Sequence, residues 1–142
     1  RVRVAGDDRD ARVAALDQVR VALGRGTALR AVVDSPVYDA RDFERVPVLD
    51  AAATMDDMGD VALFAVNRDL REDCILEIDL RSFGNLRARH IALRHDNVKA
   101  CNTEANPDEV SPVSLRPDPL DAGRGTLKIP PLSWSVFTFS RE

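Results

Sequence analysis

Cys74-Ile75-Leu76-Glu77-Ile78-Asp79-Leu80 is the cleanest alternation in the chain. Successive side chains of an extended strand point to opposite faces. Cys74, Leu76, Ile78 and Leu80 therefore share one apolar side, while Asp73, Glu77 and Asp79 share a charged one. One face suits a core and the other suits water, which predicts a half-buried β-strand.

Strand follows strand on either side of this stretch. Val61 to Val66 is apolar at every position, which predicts a central strand buried on both faces. Asp56-Asp57-Met58-Gly59 just before it reads as a hairpin turn. Further upstream, Thr27 to Val33 is β-branched and apolar up to Ser35-Pro36, and Tyr38 to Phe43 and Val46 to Thr54 are further runs. Asn67 to Glu72 is a polar connection. Downstream, Arg87 to Arg94 alternates less cleanly, Gly123-Arg124-Gly125 turns into Thr126 to Ile129, and Ser133 to Phe139 closes the series with the single Trp. Between them, Asp96 to Pro119 is long, polar and interrupted by Pro107, Pro112, Pro117 and Pro119. Connections of that length inside a compact domain are functional or packed by their own side chains. About seven short strands separated by turn signals, with no helices between them, predict an all-β fold, an antiparallel β-sandwich.

The N-terminal region differs. Val13, Leu16, Val19 or Arg20, and Leu23 recur at three-to-four spacing behind an acidic first turn, which predicts one short helix over Asp7 to Leu23, stopped by Gly24-Arg25-Gly26. The expected division is residues 1–23 as helix or linker and residues 24–142 as the sandwich.

Composition narrows the function classes. The chain has 142 residues, 44% hydrophobic and 31% charged, enough for one domain with a core. A net charge of −4 with scattered basic residues argues against a nucleic-acid partner. No run of about 18 apolar residues is present, so no membrane span is expected. The opening Arg1-Val2-Arg3-Val4 has neither Met nor an apolar signal core, and reads as an excised or processed piece. Cys74 and Cys101 make no disulfide framework and fit a reducing cytoplasm, with a single bridge left open.

Several chemistries can be weighed on the residues. His90 and His95 are five positions apart and face opposite sides of one strand, so they do not converge on a metal. Asp56, Asp57 and Asp60 lack the late bidentate Glu of a calcium loop. His95-Asp96 with Ser133 or Ser135 has the ingredients of a nucleophilic triad, but no nucleophile-elbow pattern accompanies them. Glycoside hydrolysis needs two carboxyl groups about 5 Å apart in retaining enzymes. The six glutamates (Glu44, Glu72, Glu77, Glu104, Glu109 and Glu142) read as solvated surface acids. Aromatics make up 5%, too few for a sugar-stacking platform, and Trp134 in its apolar strand reads as core. No cofactor site and no metal site are expected.

One ordered set of short motifs points to a family. It runs Gly24-Arg25-Gly26-Thr27-Ala28-Leu29-Arg30, Val33-Asp34-Ser35-Pro36-Val37-Tyr38-Asp39, Asp42-Phe43, Val46-Pro47-Val48-Leu49-Asp50 and Phe64-Ala65-Val66-Asn67-Arg68. It continues with His95-Asp96, Lys99-Ala100-Cys101-Asn102-Thr103, Asn106-Pro107 and Pro131-Leu132-Ser133-Trp134. In order and spacing these resemble the C-terminal β-domain of the α-L-arabinofuranosidases of glycoside hydrolase family 51. The resemblance implies a jelly-roll type of sandwich. It also implies a separate (β/α)8 barrel that carries the acid/base and nucleophile glutamates, often an oligomer, and arabinan or arabinoxylan oligosaccharides as substrates of the parent enzyme. No family catalytic residue has a matching position here, so the chain alone is expected to be inactive. Arg1 to Leu23 depart from the more apolar, aromatic barrel end that the family places before Gly24. The expected role is structural, with His95, Asp96, Asn102 and Asn106 in the polar loop as candidate contacts to the barrel or a neighbouring subunit. The alternative is a stand-alone carbohydrate-binding module.

Overall fold

A computed structural model of the chain describes residues 23–83 and 86–141. The helix expected over Asp7 to Leu23 lies outside the described residues, apart from Leu23. Ten strands run through the rest: β1 Thr27–Leu29, β2 Val37–Tyr38, β3 Val46–Pro47, β4 Leu49–Met55, β5 Val61–Asn67, β6 Cys74–Asp79, β7 Leu86–Leu93, β8 Pro112–Leu115, β9 Arg124–Ile129 and β10 Ser133–Arg141. A 3-10 turn, Arg81–Phe83, follows β6.

Six of the strands form one antiparallel sheet in the order β1-β4-β5-β10-β7-β8. The chain-final strand β10 thus enters the middle of the sheet, between β5 and β7. The β6–β9 ribbon is the second layer, and β2–β3 is a small separate ribbon. The β6 alternation survives intact: Leu76 and Leu80 are buried, while Ile75, Glu77 and Asp79 are exposed. Leu76, Leu80, Leu127 and Ile129 from the ribbon meet Leu49, Ala53, Val61, Leu63, Ala65, Phe137 and Phe139 from the large sheet in one core cluster. The all-β sandwich therefore follows from two apolar faces that can leave water only against each other.

Turn chemistry sets the registers. Asp56 Oδ1 accepts the amides of Met58 and Asp60, holding the β4–β5 hairpin as an Asx turn. Before β9, Ala122 and Gly123 both have positive φ, 45° and 78°, and Asp121 and Arg124 exchange backbone hydrogen bonds of 2.7 and 2.8 Å. That is the primed turn that matches strand twist.

Several boundaries differ from those read in the sequence. Of Thr27 to Val33 only Thr27–Leu29 pairs; Ala31 and Val33 pack against the core without joining a ladder. Tyr38 is the only residue of Tyr38 to Phe43 in a strand, and the rest is a turn in which Asp39 Oδ1 accepts the Arg45 amide. Val46 to Thr54 is broken at Val48. Asp96 to Pro119 is not all loop, because Pro112–Leu115 pairs with β7. Pro112 opens this edge strand, where the missing N–H costs nothing.

Candidate functional site

The polar loop after β7 holds all four candidate contact residues, and each has a defined partner. His95 Nδ1 accepts the Asn97 amide at 3.0 Å. Its Nε2 lies 3.4 Å from Glu109 Oε1. Asn106 Nδ2 also donates to Glu109, so one carboxylate gathers His95 and Asn106. Asn102 grips the Val110 backbone at both ends: its Nδ2 donates to the carbonyl at 2.9 Å and its Oδ1 accepts the amide at 2.6 Å. Asp96 stands apart. Its side chain is 91% exposed and its carboxylate pairs with Arg94 at 2.6 Å.

The structure thus draws His95, Asn102 and Asn106 into one internally braced loop through Glu109 and Val110, and leaves Asp96 outside the brace. Glu109, read in the sequence as a solvated acid, is the organising residue. Its spacing of three from Asn106 was the available signal. Asn102 and Asn106 shape the loop while staying exposed, and Val98, 69% exposed, adds an apolar side chain to its surface. Replacing Asn102 by alanine is expected to speed amide exchange at Val110 and its neighbours by tenfold or more. Global stability should fall by no more than about 1 kcal/mol, because both bonds lie at the surface. Hydrogen exchange with mass readout, beside a urea titration, checks both.

The serine candidates are held elsewhere. Ser133 Oγ donates to the Pro130 carbonyl at 2.7 Å, and Ser135 Oγ lies 3.0 Å from His90 Nε2. Ser133, Ser135 and His90 are all buried, so neither hydroxyl faces solvent and neither meets His95-Asp96. His90 stacks on Phe137 at 4.0 Å between ring centroids, and burial pushes its pKa down to about 4. A neutral histidine sealed in a core has the chemistry of a packing residue. Trp134 is half-buried against Phe64, centroids 5.9 Å apart, on the face of the sheet opposite the core cluster, not in the core as its apolar strand suggested.

Several of the described acids lie in separate ion pairs. Asp79 meets Arg81 and Arg124, which hold its carboxyl well below the usual range. Asp73 meets Lys128, and Asp50 meets Arg68. Asp69 Oδ1 accepts the amides of Arg71 and Glu72, which lowers its pKa. Among the described residues no group of three or more His, Cys, Asp or Glu is placed to hold a metal ion. Cys74 and Cys101 are both free thiols; Cys74 is half-buried, which raises its pKa, and Cys101 is exposed.

Asn67 is the residue that sequence reasoning missed most clearly. It ends β5 at 1% exposure. Its Nδ2 donates to the carbonyls of Glu72, Ile129 and Pro130, and its Oδ1 accepts the Asp69 amide. Those carbonyls belong to the two connections that cross between layers, β5 to β6 and β9 to β10. One side chain therefore ties both crossovers at the same end of the sandwich.

Comparison with known proteins agrees with this architecture. The family described as the alpha-L-arabinofuranosidase C-terminal domain matches residues 18–133, starting upstream of Gly24. An intracellular exo-alpha-(1->5)-L-arabinofuranosidase of Halalkalibacterium halodurans is 39% identical over 121 residues, covering 84% of this chain and 24% of its own length. A relative of the same name, numbered 1, from Bacillus subtilis is 35% identical over the same shares. Among solved structures, a family 51 alpha-L-arabinofuranosidase from Bifidobacterium longum superposes with a TM-score of 0.73 at 28% identity, over 86% of this chain and 24% of that one. The chain thus spans about a quarter of the length of the relatives it matches. On these grounds the chain belongs to the C-terminal domain family of the α-L-arabinofuranosidases.

Proposed function

We propose that this chain works as the accessory β-sandwich of an α-L-arabinofuranosidase, with residues 24–142 as the sandwich and residues 1–23 as the segment leading into it. Its partner is a catalytic (β/α)8 barrel that supplies the acid/base and nucleophile carboxylates. The sandwich supports that barrel or a neighbouring copy in a homo-oligomer, and the braced loop from His95 to Pro107 is its contact surface, with His95, Asp96, Asn102 and Asn106 as the candidate positions. Arabinan and arabinoxylan oligosaccharides reach the protein through the barrel. The relatives are named intracellular enzymes, no helix among the described residues is long and apolar enough to cross a membrane, and the reading places the protein in the cytoplasm.

One observation carries this reading: the family match covers most of the chain, while Asp50, Asp73, Asp79 and Glu109 are each engaged in separate surface pairs or the loop brace. A retaining glycosidase needs two carboxyl groups facing each other across a substrate. The purified chain is expected to show no turnover of an aryl α-L-arabinofuranoside and no saturable change in Trp134 fluorescence on titration with arabino-oligosaccharides. Turnover would overturn the accessory role. Saturable binding would instead favour a stand-alone carbohydrate-binding module, for which half-buried Trp134, with Phe64 beside it, lies on the face away from the core.

A further inference from the structure

The β7–β8 ladder ends on the pair His90–Leu115. The next position on each side is an arginine, Arg89 on β7 and Arg116 just past β8. Both are exposed, and both line one open depression of about 610 Å³. Ser114 and Thr138 bring hydroxyls to its lining, and Ile91, Leu115 and Pro117 bring apolar surface. Among the described residues no carboxylate lines it. Like charges side by side across strands repel. The ion pairs among the described residues do not relieve this, because Asp50, Asp73, Asp79, Asp96 and Glu109 all pair elsewhere. Arg89 also borders a neighbouring depression of about 360 Å³ that holds Asp56 and Asp60. Those acids share it with Arg25, and Asp56 Oδ1 already accepts two amides of its turn.

We propose that the β7–β8 depression binds a small organic oxyanion, a carboxylate or a phosphate monoester, between Arg89 and Arg116. A guanidinium presents a planar fork of N–H donors that matches two oxygens of such a group. An anion seated between two of them turns their repulsion into attraction. The hydroxyls of Ser114 and Thr138 are neutral donors for the remaining oxygens. Ile91, Leu115 and Pro117 offer the carbon part of the ligand a wall, which favours an organic anion over a bare ion. The volume falls within the range of small-molecule sites, roughly 300–1,000 Å³. This inference concerns the sandwich by itself and does not depend on the proposed parent enzyme.

Calorimetric titration of the full chain at low ionic strength tests this, with phenyl phosphate and benzoate as probes and benzyl alcohol as the uncharged control. At least one of the two anions is expected to bind saturably, one per chain, and more weakly as salt is added. Benzyl alcohol should not bind. R89Q and R116Q should each weaken the anion by about tenfold or more, because each removes a charge-assisted contact. R87Q, two positions along β7 on the same face and outside the depression, should leave the affinity unchanged. Binding of phenyl phosphate alone would assign the site to phosphate esters, and binding of benzoate alone to carboxylates. Circular dichroism shows whether each variant keeps its sheet. Should R89Q fail to fold, R89K replaces it; it keeps the charge, loses the fork and should still bind more weakly. Absence of saturable binding by both anions would overturn the proposal. So would equal binding of benzyl alcohol, or an affinity that R89Q, R116Q and R87Q leave alike.

Discussion

Replacing Asn67 by alanine is expected to cost about 3 kcal/mol or more of folding stability, the largest effect of any single polar substitution in the sandwich. The substitution removes two N–H donors shared among three carbonyls, of which Pro130 keeps Ser133 Oγ, and the acceptor of one amide, at a 1% exposed position. A buried backbone group left without a partner costs about 1–3 kcal/mol, and the cavity adds to that. The loss falls on two crossovers at once, so the layers should loosen together and unfolding should stay cooperative. Asn67→Asp should be at least as damaging at pH 7, because a carboxylate would face the carbonyl oxygens of Glu72, Ile129 and Pro130. Urea titrations of the three proteins check this. The expected signature is a lower midpoint at an unchanged slope, since the surface exposed on unfolding does not change.

Acidification from pH 7 to pH 4 is expected to remove about 3 kcal/mol through His90 alone. Its imidazole is buried between β7 and β10, against Phe137 and Ser135, where desolvation pushes its pKa down to about 4 from the ordinary 6.5. Between those two values the unfolded chain binds a proton that the folded chain refuses. The stabilisation is therefore complete above pH 6.5 and is lost as the pH falls toward 4. A gap of that width corresponds to about 3 kcal/mol. The depressed carboxyls of Asp79 and Asp69 act in the same direction in a lower window, below the ordinary carboxylate value near 3.8, so the two effects separate on the pH axis. Midpoints measured every half pH unit for the wild-type chain and for His90→Gln test the assignment. The variant should be flatter between pH 6.5 and 4 whatever its absolute stability, and an identical slope would show that His90 is not the group responsible.

The layers were legible in the sequence because burial leaves a period. Cys74 to Leu80 alternates because one side of β6 meets Leu127, Phe137 and Phe139 in the core. Val61 to Val66 is apolar throughout because β5 is central and has apolar surroundings on both faces. Asp56 and Gly59 announced their hairpin through turn chemistry alone. What the sequence hid is what depends on a distant partner. Nothing local distinguishes Asn67 from any polar residue at a strand end; its importance comes from Ile129 and Pro130, more than sixty positions away. Pro112 disguised β8 as loop, since proline marks a break everywhere except at the start of an edge strand. Trp134 lay in a strand apolar on both sides, and period alone does not say which face meets the ribbon. In the candidate loop His95, Asn102 and Asn106 share a brace whose bonds run inward, while Asp96 stands apart with Arg94. Glu109 and Val110, eight positions from Asn102, complete the brace.

The central claim, that this sandwich is a supporting domain and not a catalyst, is tested most directly by a domain exchange. Residues 24–142 would replace the matching quarter of the Halalkalibacterium halodurans relative, and hydrolysis of an aryl α-L-arabinofuranoside would be measured for the chimera beside the parent enzyme. The account predicts a folded chimera with kcat close to that of the parent, since the transplanted sandwich supplies support and no reacting group. A chimera that folds and binds substrate but has lost turnover would contradict it, because the exchanged domain would then hold residues that the reaction needs.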